Sequence, residues 1–262
     1  MQLREVLGRR RSIRFLDPDR PVEIDKIQRI LEAARIASHW GNVQSLRAIV
    51  VMKDSAPSHV INALEAPIAG FQIRIAPVVI VWYLDTAAVD AQADRLRELL
   101  AAGALGFGED KNRALEENLI PLFASLVDSL KAPGLGEVDC GQGIAQATLM
   151  AFEQGLGTCC LGTPYGDKIC ANLGLPDTAR VLLLQTVGYP AEDWQAGGQR
   201  PRRPFEELFS LNVSGNPFPR APEVVEELRN DGMFTAPAPL PGREEELERL
   251  KTRLDLKGHG LF

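Results

Sequence analysis

The sequence is poor in the residues that most often build metal and thiol chemistry. It holds three histidines (His39, His59 and His259) and four cysteines (Cys140, Cys159, Cys160 and Cys170) among 262 residues. No two cysteines form a Cys-x-x-Cys pair, so no zinc site is expected, and reduced core thiols are the default reading. Positive charge is in deficit, with 29 Lys+Arg against 35 Asp+Glu and a net charge of −6. Broad nucleic-acid binding relies on a basic footprint, so this balance argues against it. No stretch reaches about 18 consecutive apolar residues, so no membrane-spanning helix is expected. The opening "MQLREVLGRRR" lacks an apolar signal core followed by a cleavage site, and a cytoplasmic location is the expectation. Without a secretory signal, the "NVS" at Asn212 carries no meaning as a glycosylation acceptor.

What is present is an ordinary globular composition, 45% hydrophobic and 24% charged. A chain of this length supports one sizeable core or two small ones. Residues 2–9 read as a short helix. "PVEIDKIQRILEAARIAS" carries Ile24, Ile27, Ile30, Leu31 and Ala34 at helical spacing. "RAIVVMKD", "APVVIVWYLD" and "RVLLLQTVGYP" read as strands, and "GTCCLG" as a short strand or turn. "SAPSHVINALEA", "DCGQGIAQATLMAFEQG" and "YGDKICANLGLP" read as helices. Residues 86–131 read as two helical pieces broken near "GALGFGED", with a kink at Pro121. The last fifty residues are proline-rich, hold two short charged helices and have no apolar core of their own. They read as an arm on the main body or on a partner subunit, with a floppy tail as the alternative. Helices alternate with about four strands, which predicts a single α/β or α+β domain.

Against the acidic background, "GRRRSIRFLDPDRPV" places Arg9, Arg10, Arg11 and Arg14 within six residues. A solvated charge run, a nucleic-acid patch and an anion cradle are the competing readings, and a local cluster in an acidic chain favours a small anionic ligand. In an extended segment Arg10, Ser12 and Arg14 point to one side, because side chains alternate. A second basic cluster, Arg200, Arg202 and Arg203, stands near the other end between Pro201 and Pro204. Cations in fixed positions plus a hydroxyl suit a phosphate, so the two clusters are expected to converge on one.

The segment "RRRSIRFLDPDRPVEIDKIQRILEAARIASHWGNVQSLRAIVV" resembles the opening of the nitroreductase family of flavoenzymes. "IAPVVIVWY", "DCGQGIAQATLMAFEQGLGTCCLG", "LGLPDTARVLLLQTVGYPAE" and "RPRRPFEEL" resemble later parts of that family, in the expected order. The resemblance covers about residues 4–53 and 139–209. It implies an α+β fold with a central, mostly antiparallel sheet of four to five strands surrounded by helices. It further implies FMN, NADH or NADPH as electron donor, and a homodimer with the flavin at the subunit interface. The implied FMN-binding domain spans 1–209, with 86–135 a variable cover over the substrate and 210–262 an extension. By motif, Arg10, Ser12, Arg202 and Arg200 hold the flavin phosphate and Arg11 supports the same region. Arg14 lies near the pyrimidine, where its charge stabilises the anionic reduced ring. The resemblance gives the Gly162 N–H to flavin N5, with Cys160 and Leu161 packed on the ring. Gly162 and Arg14 are thus the implied catalytic groups.

The chain departs from the family in the turn before the first strand, which reads "ASHWGNVQSLR". Asn42 and Gln44 keep the family pattern and are implied to reach the partner's flavin. His39 is either a proton donor or a structural histidine, and Trp40 either stacks on flavin or substrate or fills an interface core. Gln72 and Arg74 stand where polar residues face the pyrimidine in the family. Phe107 and Phe123 suggest a large apolar acceptor. The implied enzyme transfers hydride from NAD(P)H to a nitroaromatic, a quinone or a related small molecule in ping-pong fashion. A specialised dehydrogenase, oxidase or dehalogenase, or a non-catalytic flavin store blocked by its C-terminal arm, are the alternatives.

Overall fold

The computed structural model describes residues 2–65, 68 and 70–258. Four strands form one antiparallel sheet in the order β1-β2-β4-β3, with β1 Leu46–Met52, β2 Val78–Asp85, β3 Gly157–Leu161 and β4 Ala179–Gly188. β2 and β4 are central because their apolar runs suit burial on both faces. Along β2 the faces alternate. Ile80 and Trp82 join one core with Ile27, Ile30, Ile144 and Ala147, while Val79 and Val81 join a second with Ile13, Ile73, Ile169 and Leu184. The Trp82 Nε1–H donates to Gln185 Oε1 at 2.8 Å, and Gln185 donates to Thr148 Oγ1 at 2.9 Å, so the polar groups inside this sheet are satisfied.

The helices follow the periodicity of the sequence. α1 spans Leu3–Arg9 and α2 Ile24–Arg35. α3 (Ser58–Leu64) and α4 (Gly70–Ile75) lie between β1 and β2. A 3-10 segment over Thr86–Ala91 leads into α5, Gln92–Ala101. Beyond the glycine-rich break come α6 (Lys111–Ala114), a π turn (Leu115–Leu119), α7 (Ile120–Ser125) and α8 (Val127–Lys131). The disturbance expected at Pro121 thus falls one turn earlier. Pro121 itself sits in the first turn of α7, where its missing N–H costs nothing. α9 (Leu135–Glu153) packs on α2 through its small residues and begins before the expected Asp139, because Glu137 caps Gly134 N–H at 2.7 Å. α10 is Gly166–Leu173.

Residues 12–17 lace along the edge of the sheet. Ile13 N–H donates to Thr158 O at 2.9 Å, Asp17 N–H to Tyr189 O, and Ala191 N–H returns to Phe15 O. Gly157 makes this approach possible, since a Cβ there would stand 2.8 Å from Ile13 Cβ.

α11 (Phe205–Leu208) and an exposed loop follow β4, then α12 (Pro222–Asn230) and α13 (Arg243–Arg253). These two late helices pack on their own chain. Arg4 of α1 pairs with Glu227 and Asp231, and Gln199 N–H donates to Ala236 O at 2.8 Å. Gly8, inside α1, meets the turn after α12 directly. A Cβ there would overlap the Gly232 carbonyl oxygen and lie 2.5 Å from Met233 Cα. Gly→Ala inside a helix ordinarily stabilises by about 1 kcal/mol. Here Gly8→Ala is expected to destabilise by about 1–3 kcal/mol through overpacking, with faster tryptic cleavage after Arg229. A raised melting temperature with unchanged cleavage would contradict this seat for the C-terminal segment.

Candidate functional site

Alternation holds along residues 10–14. Arg11 and Ile13 are buried, whereas Arg10, Ser12 and Arg14 are partly exposed on the other side. The bridge from Ser12 to Thr158 sets this row against β3, where Cys159 points inward and Cys160 outward. Gly162, one residue past the last ladder pair, is exposed, with open space where a Cβ would stand. The outward side chains of 10–14 therefore border Cys160, Leu161 and Gly162.

The second basic cluster arrives at the same place. Burial lowers the Arg11 pKa from its ordinary value, and the neighbouring charges of Arg10, Arg200 and Arg202 lower it further. Arg200 is lowered likewise, by burial and then by Arg14 and Arg243. Mutual repulsion of this kind requires that the guanidinium groups stand close. Many arginines of this chain carry a carboxylate partner. Among the described residues, Arg20, Arg47, Arg74, Arg220 and Arg249, which stand elsewhere in the sequence, lack one, and so do Arg10, Arg11, Arg14, Arg200 and Arg202. Their side-chain hydrogen bonds run to carbonyl oxygens, as from Arg14 to Ser12 O at 3.2 Å and from Arg202 to Pro201 O at 3.0 Å. The exception is Arg11, which also donates to the Thr235 hydroxyl. Arg11 thus turns into the body and ties α1 to the C-terminal segment, whereas the other four cations stay partly or fully exposed beside it.

Glu192 organises this region and was not anticipated from the sequence. Its side chain is 0% exposed, and Oε1 accepts the Arg14 N–H at 2.6 Å and the Phe15 N–H at 3.1 Å. Its only signal is an acid just after the Gly-Tyr-Pro turn. Gln72 lies on α4 next to Phe71, which packs on Phe15 with ring centroids 5.5 Å apart. Its Oε1 is buried without a hydrogen-bond donor among the described residues. Arg74, the other polar candidate on this helix, is exposed.

The remaining candidates lie elsewhere. Trp40, Gly41 and Asn42 form a 3-10 turn before β1, held by Asp139, whose Oδ2 accepts the Trp40 N–H at 2.8 Å. Asn42 and Gln44 both have φ +54°. That left-handed backbone is uncommon outside glycine and costs on the order of 1–2 kcal/mol. Asp139, an acid in the first turns of an otherwise small and apolar helix, was also missed. Trp40 packs on Phe123 of α7 with centroids 5.4 Å apart. β1 and β3 are opposite edges of the sheet, three strand spacings or roughly 14 Å apart. One chain therefore does not bring Asn42, Gln44, Trp40 and Phe123 to Arg10, Ser12 and Gly162. Phe107 joins neither group. It is 95% exposed and borders a separate apolar cavity of about 390 Å³ with Leu100, Leu115 and Leu119.

Of the two readings of His39, its surroundings favour the structural one. Its side chain is 4% exposed, 3.9 Å from Asp139, and Nδ1 has no partner among the described residues. Burial pushes its pKa below the ordinary 6.5, with Asp139 only partly opposing. The unfolded chain takes up this proton at higher pH than the folded one, so stability is lost as pH falls through about 6.5. Thermal unfolding at about pH 7.5 and about pH 5.5 is expected to show a smaller acid-side loss for His39→Asn than for the parent. An equal loss would refute that assignment.

A model of the nitroreductase family matches residues 7–107 and 122–189. A curated relative from Thermus thermophilus described as NADH dehydrogenase is 34% identical over 202 residues, covering 76% of this chain and 91% of that protein. An NADPH-dependent oxidoreductase of Staphylococcus haemolyticus is 30% identical over 105 residues, 39% of this chain and 41% of that one. Among solved structures, a nitroreductase from Exiguobacterium sibiricum in complex with FMN superposes with a TM-score of 0.66 at 22% identity, covering 81% of this chain and 98% of that chain. An NAD(P)H:FMN oxidoreductase from Staphylococcus epidermidis gives 0.66 at 18% identity, covering 80% and 95%.

Proposed function

This chain belongs to the nitroreductase family, and from that premise we propose that it is an FMN-dependent NAD(P)H oxidoreductase acting on a small organic acceptor. The observation that carries the reading is the group of arginines without carboxylate partners, drawn from both ends of an acidic chain to one edge of the sheet. A terminal phosphate dianion supplies the charge that those cations lack. Arg10, Ser12, Arg200 and Arg202 would hold that phosphate. Arg14, its backbone fixed by Glu192, would supply positive charge toward the ring, and the Gly162 N–H, beside Cys160 and Leu161, a donor along its edge. The undonated Gln72 oxygen fits an N–H of the flavin pyrimidine. FMN, when bound, supplies the hydride chemistry, taking hydride from NAD(P)H and delivering it to a nitroaromatic, quinone or related acceptor in ping-pong order. The protein's share is orientation and electrostatics, which explains why no catalytic triad is needed.

The reading includes a homodimer. The Asn42–Gln44 turn stands too far from Gly162 of its own chain to complete the site, so a partner supplies it. Exposed apolar residues on α1 (Leu3, Leu7), on α9 (Leu135, Val138) and over Leu208–Val224 are available to such an interface, though others, Ile24, Ile36 and Phe107 among them, lie elsewhere. The storage alternative needs an arm that blocks the cleft. Instead, the contacts of the C-terminal segment run to α1, Gln199 and Glu192, and Cys160 and Gly162 stay exposed.

Anaerobic addition of NADH or NADPH to the yellow protein is expected to bleach the flavin band. Bleaching by dithionite alone would favour storage or another donor. Light scattering is expected to give twice the 28.7 kDa chain mass, and a flavin-bearing monomer would contradict the shared site. A charge-assisted contact to phosphate is worth about 1.5–3 kcal/mol. Arg10→Ala and Arg202→Ala are each expected to weaken FMN binding about tenfold to more than a hundredfold, with little effect on riboflavin. Equal losses for the two ligands would return these arginines to solvated surface charge.

A further inference from the structure

Arg243 opens α13, in a stretch, "REEELERLKTR", that reads as an ordinary solvated helix. Its guanidinium is instead largely buried. Nη2 donates to Glu192 Oε2 at 2.5 Å and Nη1 to Glu246 Oε2 at 2.7 Å. Glu246 in turn accepts the Asp193 N–H through Oε1 at 2.6 Å. The two oxygens of Glu192 are thus divided. Oε1 holds the backbone of Arg14 and Phe15, and Oε2 holds Arg243. This carboxylate lies among the cations of the anion site. Arg200 feels Arg14, Arg243 and Glu192 together, and among the described residues the Arg14 and Arg200 side chains donate only to single carbonyl oxygens, at 3.2 and 3.4 Å.

A buried carboxylate does not stay unpaired when other cations are within reach. We propose that Arg243 is a positioning residue of the anion site: by occupying Oε2 of Glu192, it keeps that carboxylate from closing on Arg14 and Arg200 and leaves both free for a phosphate-bearing ligand. The C-terminal segment is then a working part of the ligand site, and Glu192 is a competitor of the phosphate held in check. The inference rests on the reading of the arginine cluster as a phosphate site.

The test measures FMN and riboflavin affinity of the full-length apoprotein by fluorescence quenching. Arg243→Met is expected to weaken FMN about tenfold and riboflavin less than about twofold, and adding Glu192→Gln to bring FMN back to within about threefold of the parent. Glu192→Gln alone, which keeps an acceptor for the Arg14 and Phe15 N–H groups, is expected to bind FMN at least as tightly as the parent. Arg243→Lys is expected to stay close to it. Equal losses of FMN and riboflavin in Arg243→Met, or a double variant as weak as the single one, would overturn the proposal and leave Arg243 as a structural clamp. If Arg243→Met does not fold, Glu192→Gln decides, since selectively weaker FMN binding in that variant contradicts a competing carboxylate. Arg202→Ala separates the two levels. If it loses no FMN selectivity, the phosphate site itself fails. If it does while Arg243→Met does not, only the role of Arg243 fails.

Discussion

A carboxylate sealed from solvent must find its counter-charges and donors within the protein, and Glu192 finds them in two distant parts of the chain. It takes two amide N–H groups from the N-terminal segment, sits just past the central strand β4, and receives a guanidinium from α13. Those contacts place Arg14 against the sheet edge and fasten the C-terminal helix nearby. The same stretch of chain then leads through Gln199, whose oxygen accepts the Thr235 N–H, to Arg200 and Arg202. The cationic cluster therefore follows from where one buried negative charge can be accommodated.

The sheet order imposes the second constraint. The edge bordered by Arg10, Ser12 and Gly162 lies across the whole sheet from the edge that begins after Asn42 and Gln44. Two residues outside glycine adopt a left-handed backbone in that turn, and Asp139 holds it in place from α9. Strain is thus maintained on the side of the molecule away from the cations, and the proposed homodimer is the arrangement in which it would have a use.

Much of this was legible in the sequence where a local pattern decides the structure. Continuous apolar runs made β2 and β4 recognisable, and the period-two alternation put Arg10, Ser12 and Arg14 on one side. The antiparallel α+β architecture followed the order of motifs. The residues that resisted reading act through tertiary contacts with no local signature. Glu192 is a single acid after a turn, Arg243 is one charge in a helix full of them, and Gly8 looks like a weak point in α1 until Met233 is seen against it. Burial also favours one of the two roles the sequence leaves open for His39, the structural one, since the fold keeps its side chain apart from water.

The arrangement bears on how the chain matures during synthesis. Arg10, Ser12 and Arg14 leave the ribosome before the strand edge they border, and Arg200, Arg202 and Arg243 follow on the order of two hundred residues later. At about 5–20 residues per second this delay amounts to roughly ten to forty seconds. For most of that time the N-terminal cations have neither their edge strand nor the carboxylate that fixes them. Contacts between the two ends of a chain are also the slowest to close, because the loop between them is longest. The cationic cluster is thereby complete only after both of its segments have been made.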